Sequence, residues 1–232
     1  MNIAIILSSG TGSRIKSSKI PKQFIEINNK PIIGHTIDRF ITNKQIDKIV
    51  IACHPEWISF LDNYLKNNVS NFNNIYVIKG GETRNDSITN AILFLKKEIK
   101  CKDSDNILIH DAVRIFVTDR IILENIEKMK THDAVDTIVP SIDTIVQIDE
   151  KQEIIKSIPD RKFLCNGQTP QTFKLKLLTN LYLKQKVKDT SDSFKFLLSC
   201  YPNAKIGIVW GEYENFKITS DWDLDYAKKI LK

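Results

Sequence analysis

Apolar positions in this 232-residue chain fall into short unbroken runs, separated by stretches of helical spacing. The first run is Ile3-Ala4-Ile5-Ile6-Leu7. An apolar run without alternation predicts a strand buried on both faces, as in a parallel sheet. Ile46 to Cys53, Ile75 to Ile78 and Asn106 to His110 predict three more such strands. Between them, Ile32, Ile33, His35, Thr36 and Phe40 follow Pro31 at helical spacing, and Pro55 to about Leu65 reads as a second helix. Pro31 suits a first helical position, and Thr118 suits the N-cap of a helix running to about Lys130. Strands alternating with helices of this length imply right-handed βαβ units and an α/β, Rossmann-like fold with a mainly parallel sheet.

One stretch breaks that rhythm. Ala134 to Ile148, an acidic turn and Ile154-Ile155 predict a long β-hairpin. It is too apolar to stand alone in water, and the rest of one copy offers little to cover it. A homodimer with crossed arms is therefore expected, the arm covering about residues 137–168 of a single domain spanning 1–232.

The polar punctuation carries the chemistry. The first strand ends in Ser8-Ser9-Gly10-Thr11-Gly12-Ser13-Arg14, and the chain then delivers Lys19 and Lys22. Glycines let backbone N–H groups converge on a ligand, and cations beside them suit a polyphosphate; a surface turn with solvated cations is the competing reading. The loop is no P-loop, because Ser13-Arg14 follows the second glycine, and no dinucleotide fingerprint, because Ile15 stands where a third small residue is needed. The third strand runs into Gly80-Gly81-Glu82-Thr83-Arg84-Asn85-Asp86-Ser87, which reads either as a second nucleotide edge or as a plain strand-to-helix turn. The fourth runs into Asp111-Ala112-Val113-Arg114. An acid just past a strand's C-terminal end stands where open α/β sheets bind ligands, and one such carboxylate suffices for Mg²⁺ shared with phosphates; capping a turn is the alternative.

Composition narrows the partners. Thirty-four Lys and Arg against 28 Asp and Glu give +6, spread along the chain without an Arg-rich run. That argues against nucleic acid and fits an anionic small molecule. Cysteines 53, 101, 165 and 200 share no metal-type spacing, and no apolar run is long enough to span a bilayer. The chain starts directly on a core strand, so a cytoplasmic protein with free thiols is expected, without a membrane partner.

Gly10-x-Gly12-x-Arg14 followed by Pro21-Lys22-Gln23-Phe24 resembles the signature loop of the CTP-dependent cytidylyltransferases that activate sugar-alcohol phosphates. The resemblance runs the whole chain: Gly80-Gly81-x-x-Arg84-x-x-Ser87, Asp111-Ala112-Val113-Arg114, Gly167-Gln168-Thr169-Pro170-Gln171-Thr172-Phe173, Ser191-Asp192, and Gly211 through Asn215, Lys217, Ile218 and Thr219 to Asp223. It departs from the family at Ser8-Ser9, usually Ala or Gly, at Ile115, usually Pro, and at Ser191, usually Thr. The resemblance implies a nucleotide-diphospho-sugar transferase fold, with Leu7, Ser8, Ser9, Gly10, Gly12, Gly81, Glu82, Arg84 and Ser87 at CTP. It further implies Mg²⁺ on Asp111, with Arg14, Lys22 and Lys217 as the catalytic cations, and Arg114, Asp143, Thr144, Arg161 and Thr169 at the acceptor. The arm residues among these serve the neighbouring subunit's site.

In such a reaction the nucleophile is a phosphate oxygen, already anionic, so no general base is needed. Positioning and charge neutralisation carry the rate. His132-Asp133-Ala134-Val135-Asp136-Thr137, Ile158-Pro159-Asp160-Arg161, the Asn166–Phe173 stretch and Gly211-Glu212-Tyr213 look more like the branch that makes CDP-ribitol for wall or capsule polymers. D-ribitol 5-phosphate is thus the expected acceptor, and 2-C-methyl-D-erythritol 4-phosphate of isoprenoid synthesis the alternative. Another base than cytosine, or nucleotide binding without catalysis, are the remaining readings. The latter requires loss of the phosphate cations or of Asp111, and both are present.

Overall fold

The computed structural model describes residues 1–12, 15, 17–18, 20–70, 72–184 and 192–231. In chain order the strands are β1 (Asn2–Ser8), β2 (Glu26–Ile27), β3 (Lys30–Pro31), β4 (Lys48–Cys53), β5 (Ile75–Lys79), β6 (Asn106–Asp111), β7 (Ala134–Pro140), β8 (Gln147–Ile148), β9 (Ile155–Ser157), β10 (Cys165–Gly167), β11 (Gln171–Lys174) and β12 (Ile206–Trp210). The helices are α1 (Ile32–Ile41), α2 (Ile58–Asn68), α3 (Arg84–Lys97), α4 (Asp119–Lys128), α5 (Leu175–Thr179), α6 (Ser193–Cys200) and α7 (Asp221–Ile230).

β1 sits centrally because its residues bury on both sides. Ala4 and Ile6 face α1, α2 and α4, while Ile3 and Ile5 face α3, α5 and α6. It pairs in parallel with β4 on one side and β6 on the other, and β5 extends the sheet beyond β4. Beyond β6 lies β11, antiparallel, then β7, with β12 parallel to β7 at the edge. The chain thus winds outward one way from β1 and then resumes on its other side. The switch point between β1 and β6 pairs Leu7 with Asp111 and opens a crevice at the strands' C-terminal ends.

Three expectations shift. Pro31 ends β3 and caps α1 instead of opening it, because its extended ψ of 145° belongs to the strand. Asp111 is the last residue of β6, not the first beyond it, since the ladder with β1 continues to Leu7. Ala134 to Ile148 is not one hairpin. Its first half is β7, whose Val135, Thr137 and Val139 are buried between neighbouring strands. β10 still pairs with Ile138–Pro140, so the excursion runs only from 141 to 164, closed by Ser141 N–H donating to Leu164 O at 3.0 Å. Its one ladder is β8 with β9, and Ile142, Ile154, Ile155, Ile158 and Phe163 are all exposed, Phe163 by 78%.

Among the described residues no helix is long and apolar enough to cross a membrane, and all four cysteines are free.

Candidate active site

The crevice at the switch point is a cleft of about 310 Å³ lined by the first loop, the start of α3, and Asp111, Val113 and Lys217. Its first wall is the loop after β1. Gly12 adopts φ +74°, and a Cβ there would stand 2.6 Å from the Lys22 backbone nitrogen, so both conformation and space require glycine. Gln23, 3% exposed, donates its Nε2 to Ser8 O at 2.9 Å and Gly10 O at 2.7 Å, tying the loop to the segment that carries Lys22. That segment is itself anchored, because Phe24 is buried and stacks on Trp57 at 4.5 Å between ring centres.

The second wall is the turn into α3. Thr83 and Asp86 form a reciprocal capping box, which fixes the helix start and with it Arg84. Ser87 Oγ accepts from Gly81 N–H at 3.0 Å and lies 2.7 Å from Ser9 Oγ, joining the two glycine turns. Gly80 permits that approach, since a Cβ would come within 2.5 Å of Ser9 Cβ.

The floor is electrostatic. Lys217 Nζ stands 2.9 Å from Asp111 Oδ2, and Arg114 Nε lies 3.6 Å from the same oxygen. Burial alone would raise the Asp111 carboxyl, but Lys217, Arg84 and Arg114 outweigh it and hold the group ionised, well below the usual carboxylate range. Lys22 Nζ donates to Ile218 O at 2.8 Å, next in the chain to Lys217, and both lysines line the cleft. The Lys217 segment is pinned by Ile218 N–H donating to Val113 O, and by the Ser220–Asp223 capping box of α7.

Behind Asp111, hydrogen-bond donors and acceptors run in one consistent order. Asp111 N–H donates to Thr169 Oγ1 at 3.2 Å, and that hydroxyl lies 2.9 Å from His110 Nδ1. His110 Nε2 lies 3.0 Å from Arg114 O, which can only accept. The imidazole therefore carries its proton on Nε2 and takes the threonine proton at Nδ1. Burial lowers the His110 pKa to about 4, so the ring is a neutral strut at pH 7.

The cleft brings together Leu7, Ser8, Ser9, Gly10, Gly12, Lys22, Glu82, Arg84, Asp111 and Lys217. Gly81 and Ser87 stand behind its wall and hold it. Thr169, expected at the acceptor, is 4% exposed and spends its hydroxyl beneath Asp111. Arg114 turns to Asn215 O at 2.8 Å, behind the floor. Asp143, Thr144 and Arg161 are exposed on the excursion, where Arg161 donates to Ile142 O, and none of them lines this cleft. Arg14, Lys19 and Ser191 lie outside the described residues. Sequence reasoning gave Gln23 no role; its signal was an amide inside an otherwise apolar anchor, Gln23-Phe24. Among the described residues no three acidic, histidine or cysteine side chains converge as a metal cage.

An open, mainly parallel sheet with two glycine turns and a lysine–aspartate floor at its switch point defines an α/β nucleotidyltransferase. The chain belongs to the 2-C-methyl-D-erythritol 4-phosphate cytidylyltransferase (IspD) family, whose model matches residues 2–232, and is thus a CTP-dependent cytidylyltransferase. It is similar, at 27% identity and a TM-score of 0.84, to 4-diphosphocytidyl-2C-methyl-D-erythritol synthase from Anaerococcus prevotii, covering 100% of this chain and 98% of that one. It is also similar to 2-C-methyl-D-erythritol 4-phosphate cytidylyltransferase from Francisella tularensis, at 28% identity and a TM-score of 0.76 over 99% of both chains. The enzyme of that name from Thermus thermophilus, 20% identical with a TM-score of 0.72 over 99% of this chain and 98% of that one, shares the fold.

Proposed function

We propose that the chain transfers CMP from CTP to the phosphate of a small polyol phosphate. The observation that carries this reading is one cleft lined by Lys22, by Lys217 paired with ionised Asp111, by the first glycine loop and by the α3 turn. Phosphates are assigned to the two lysines and the base to the α3 turn. An oxygen of the acceptor phosphate attacks the α-phosphorus, the bond to the bridging oxygen of pyrophosphate breaks, and the electron pair leaves with pyrophosphate. Lys22 and Lys217 offset the charge that builds on the α-phosphoryl oxygens, and Arg14 is assigned to the leaving group. The neutral His110 is not needed, since no proton has to be removed.

Asp111 suits a divalent cation such as Mg²⁺, because one ionised carboxylate plus substrate phosphates is the ligand set this ion prefers. When bound, the ion would neutralise triphosphate charge.

Two acceptors draw on different observations. The family model and the similar structures carry the name of 2-C-methyl-D-erythritol 4-phosphate, which makes it the leading acceptor. D-ribitol 5-phosphate is supported by the stretches around Asp136, Arg161, Gln171 and Gly211 that resemble the CDP-ribitol branch. The exposed apolar face of the excursion favours a homodimer, in which Asp143, Thr144 and Arg161 reach the partner's acceptor site. Offering both compounds in parallel with CTP and Mg²⁺, and weighing the products by mass spectrometry, tests the reading. 4-Diphosphocytidyl-2-C-methyl-D-erythritol alone assigns the enzyme to isoprenoid synthesis, CDP-ribitol alone reverses the order of the two acceptors, and absence of both refutes CMP transfer to either.

A further inference from the structure

Arg84 opens α3 at the base end of the cleft, and its guanidinium turns inward. One terminal nitrogen donates to Ser193 Oγ at 2.7 Å and the other to Gln171 Oε1 at 3.0 Å. Gln171, 2% exposed on β11, offers its Nε2 to two carboxylates, Asp192 Oδ2 at 2.7 Å and Asp136 Oδ1 at 3.4 Å. Only one orientation of the amide works, because the acids need a donor and the guanidinium needs an acceptor. Asp192 uses its other oxygen to cap α6, accepting from Phe194 and Lys195 N–H, and the Tyr182 hydroxyl donates to Ser193 Oγ at 3.0 Å. Two acids from separate elements therefore share one amide, and that amide sets where Arg84 stands.

We propose that Asp136 and Asp192, acting through Gln171, are positioning residues for Arg84, and that ionisation of the Asp136 carboxyl weakens nucleotide binding. This rests on the reading of the cleft as a CTP site. The 3.4 Å contact to Asp136 is the loose one. A full charge there shortens it and draws the Gln171 amide, with Arg84 attached, toward β7 and out of its present place. The charged groups facing Asp136 are Asp192, ahead of α6, Arg84, on α3, and Arg114, beyond β6; Tyr182 faces Asp192 and Arg84. Burial and the neighbouring Asp192 push the Asp136 carboxyl up to about 7, so the change falls within the working range of pH.

Titration calorimetry of CTP with Mg²⁺, at about pH 6 and about pH 8.5, compares the wild type with Asp136→Asn, which cannot ionise. The wild-type Kd divided by the variant's rises about threefold between the two pH values, the scale of one rearranged hydrogen bond. Dividing by the variant removes the titration of CTP itself. In a Gln171→Leu background the Asp136→Asn change leaves Kd unaltered. A ratio that stays constant with pH overturns the proposal, and so does an undiminished Asp136→Asn effect without Gln171. If the wild type does not bind CTP at either pH, the CTP reading itself fails and takes this inference with it.

Discussion

Lys217 Nζ and Asp111 Oδ2 stand 2.9 Å apart on the floor of the cleft, one from the segment leading to α7 and the other from the end of β6. The pair joins chain positions more than a hundred residues apart. In Lys217→Ala, transition-state charge goes unmatched and Asp111 loses its closest cation. Turnover should fall on the order of 10²–10³-fold, and the melting temperature should fall too, because buried Asp111 is left short of its closest cation. Steady-state kinetics alongside thermal denaturation checks this.

Gln23 is the tie between the first loop and the Lys22 segment, through two hydrogen bonds to backbone carbonyls. Gln23→Ala leaves both acceptors unanswered and should cost about 1–3 kcal/mol of stability. The KM for CTP should rise more than kcat falls, because the loop meets the nucleotide in the ground state. Denaturant unfolding and initial rates read the two effects separately.

Gly12 cannot accept a side chain without moving Lys22, given its positive φ and the 2.6 Å approach. Gly12→Ala should cost on the order of 1–3 kcal/mol in backbone strain and displace Lys22 from the floor. Loss of CTP binding with an otherwise native circular dichroism spectrum is the expected outcome.

Asp136 gives stability a pH dependence of definite sign. Its folded carboxyl holds a proton up to about 7, against an ordinary value of 3.8, chiefly because burial disfavours the charge. The folded state therefore binds more protons than the unfolded state between those values, and this group's contribution falls as pH rises from about 4 to about 7. The melting temperature of Asp136→Asn relative to wild type should increase from about pH 5 to about pH 8, measured by differential scanning fluorimetry.

The exposed Phe163 and Ile154 of the excursion carry the dimer reading. Phe163→Asp with Ile154→Asp should convert the protein to a monomer in sedimentation velocity. Acceptor KM should rise with it, since Asp143, Thr144 and Arg161 then lose the partner's site.

Much of this architecture is legible in the chain. The apolar runs of β1, β4 and β6 mark strands buried on both faces, and Thr118 marks the start of α4 because local hydrogen bonding decides a cap. The place of β7 is not legible. Its alternation of buried and half-buried residues is the same for a free hairpin as for a strand between β11 and β12, and only pairing partners distant in the chain decide which. Lys22, Asp111 and Lys217 are visible through their motifs, but the turning of Thr169 beneath Asp111 depends on how β11 meets β6. The Gln171 junction was hidden for the same reason, as its partners come from α3, β7 and the two residues that open α6.

The most direct test of the central claim follows the label in CTP carrying ³²P at either the α or the γ position, incubated with Mg²⁺ and each polyol phosphate. The account predicts that the α label enters the CDP-polyol product and the γ label leaves as pyrophosphate, with both slowed on the order of 10²–10³-fold in Lys217→Ala. Appearance of the γ label on the acceptor, or an α label that never reaches it, would contradict nucleotidyl transfer at this cleft.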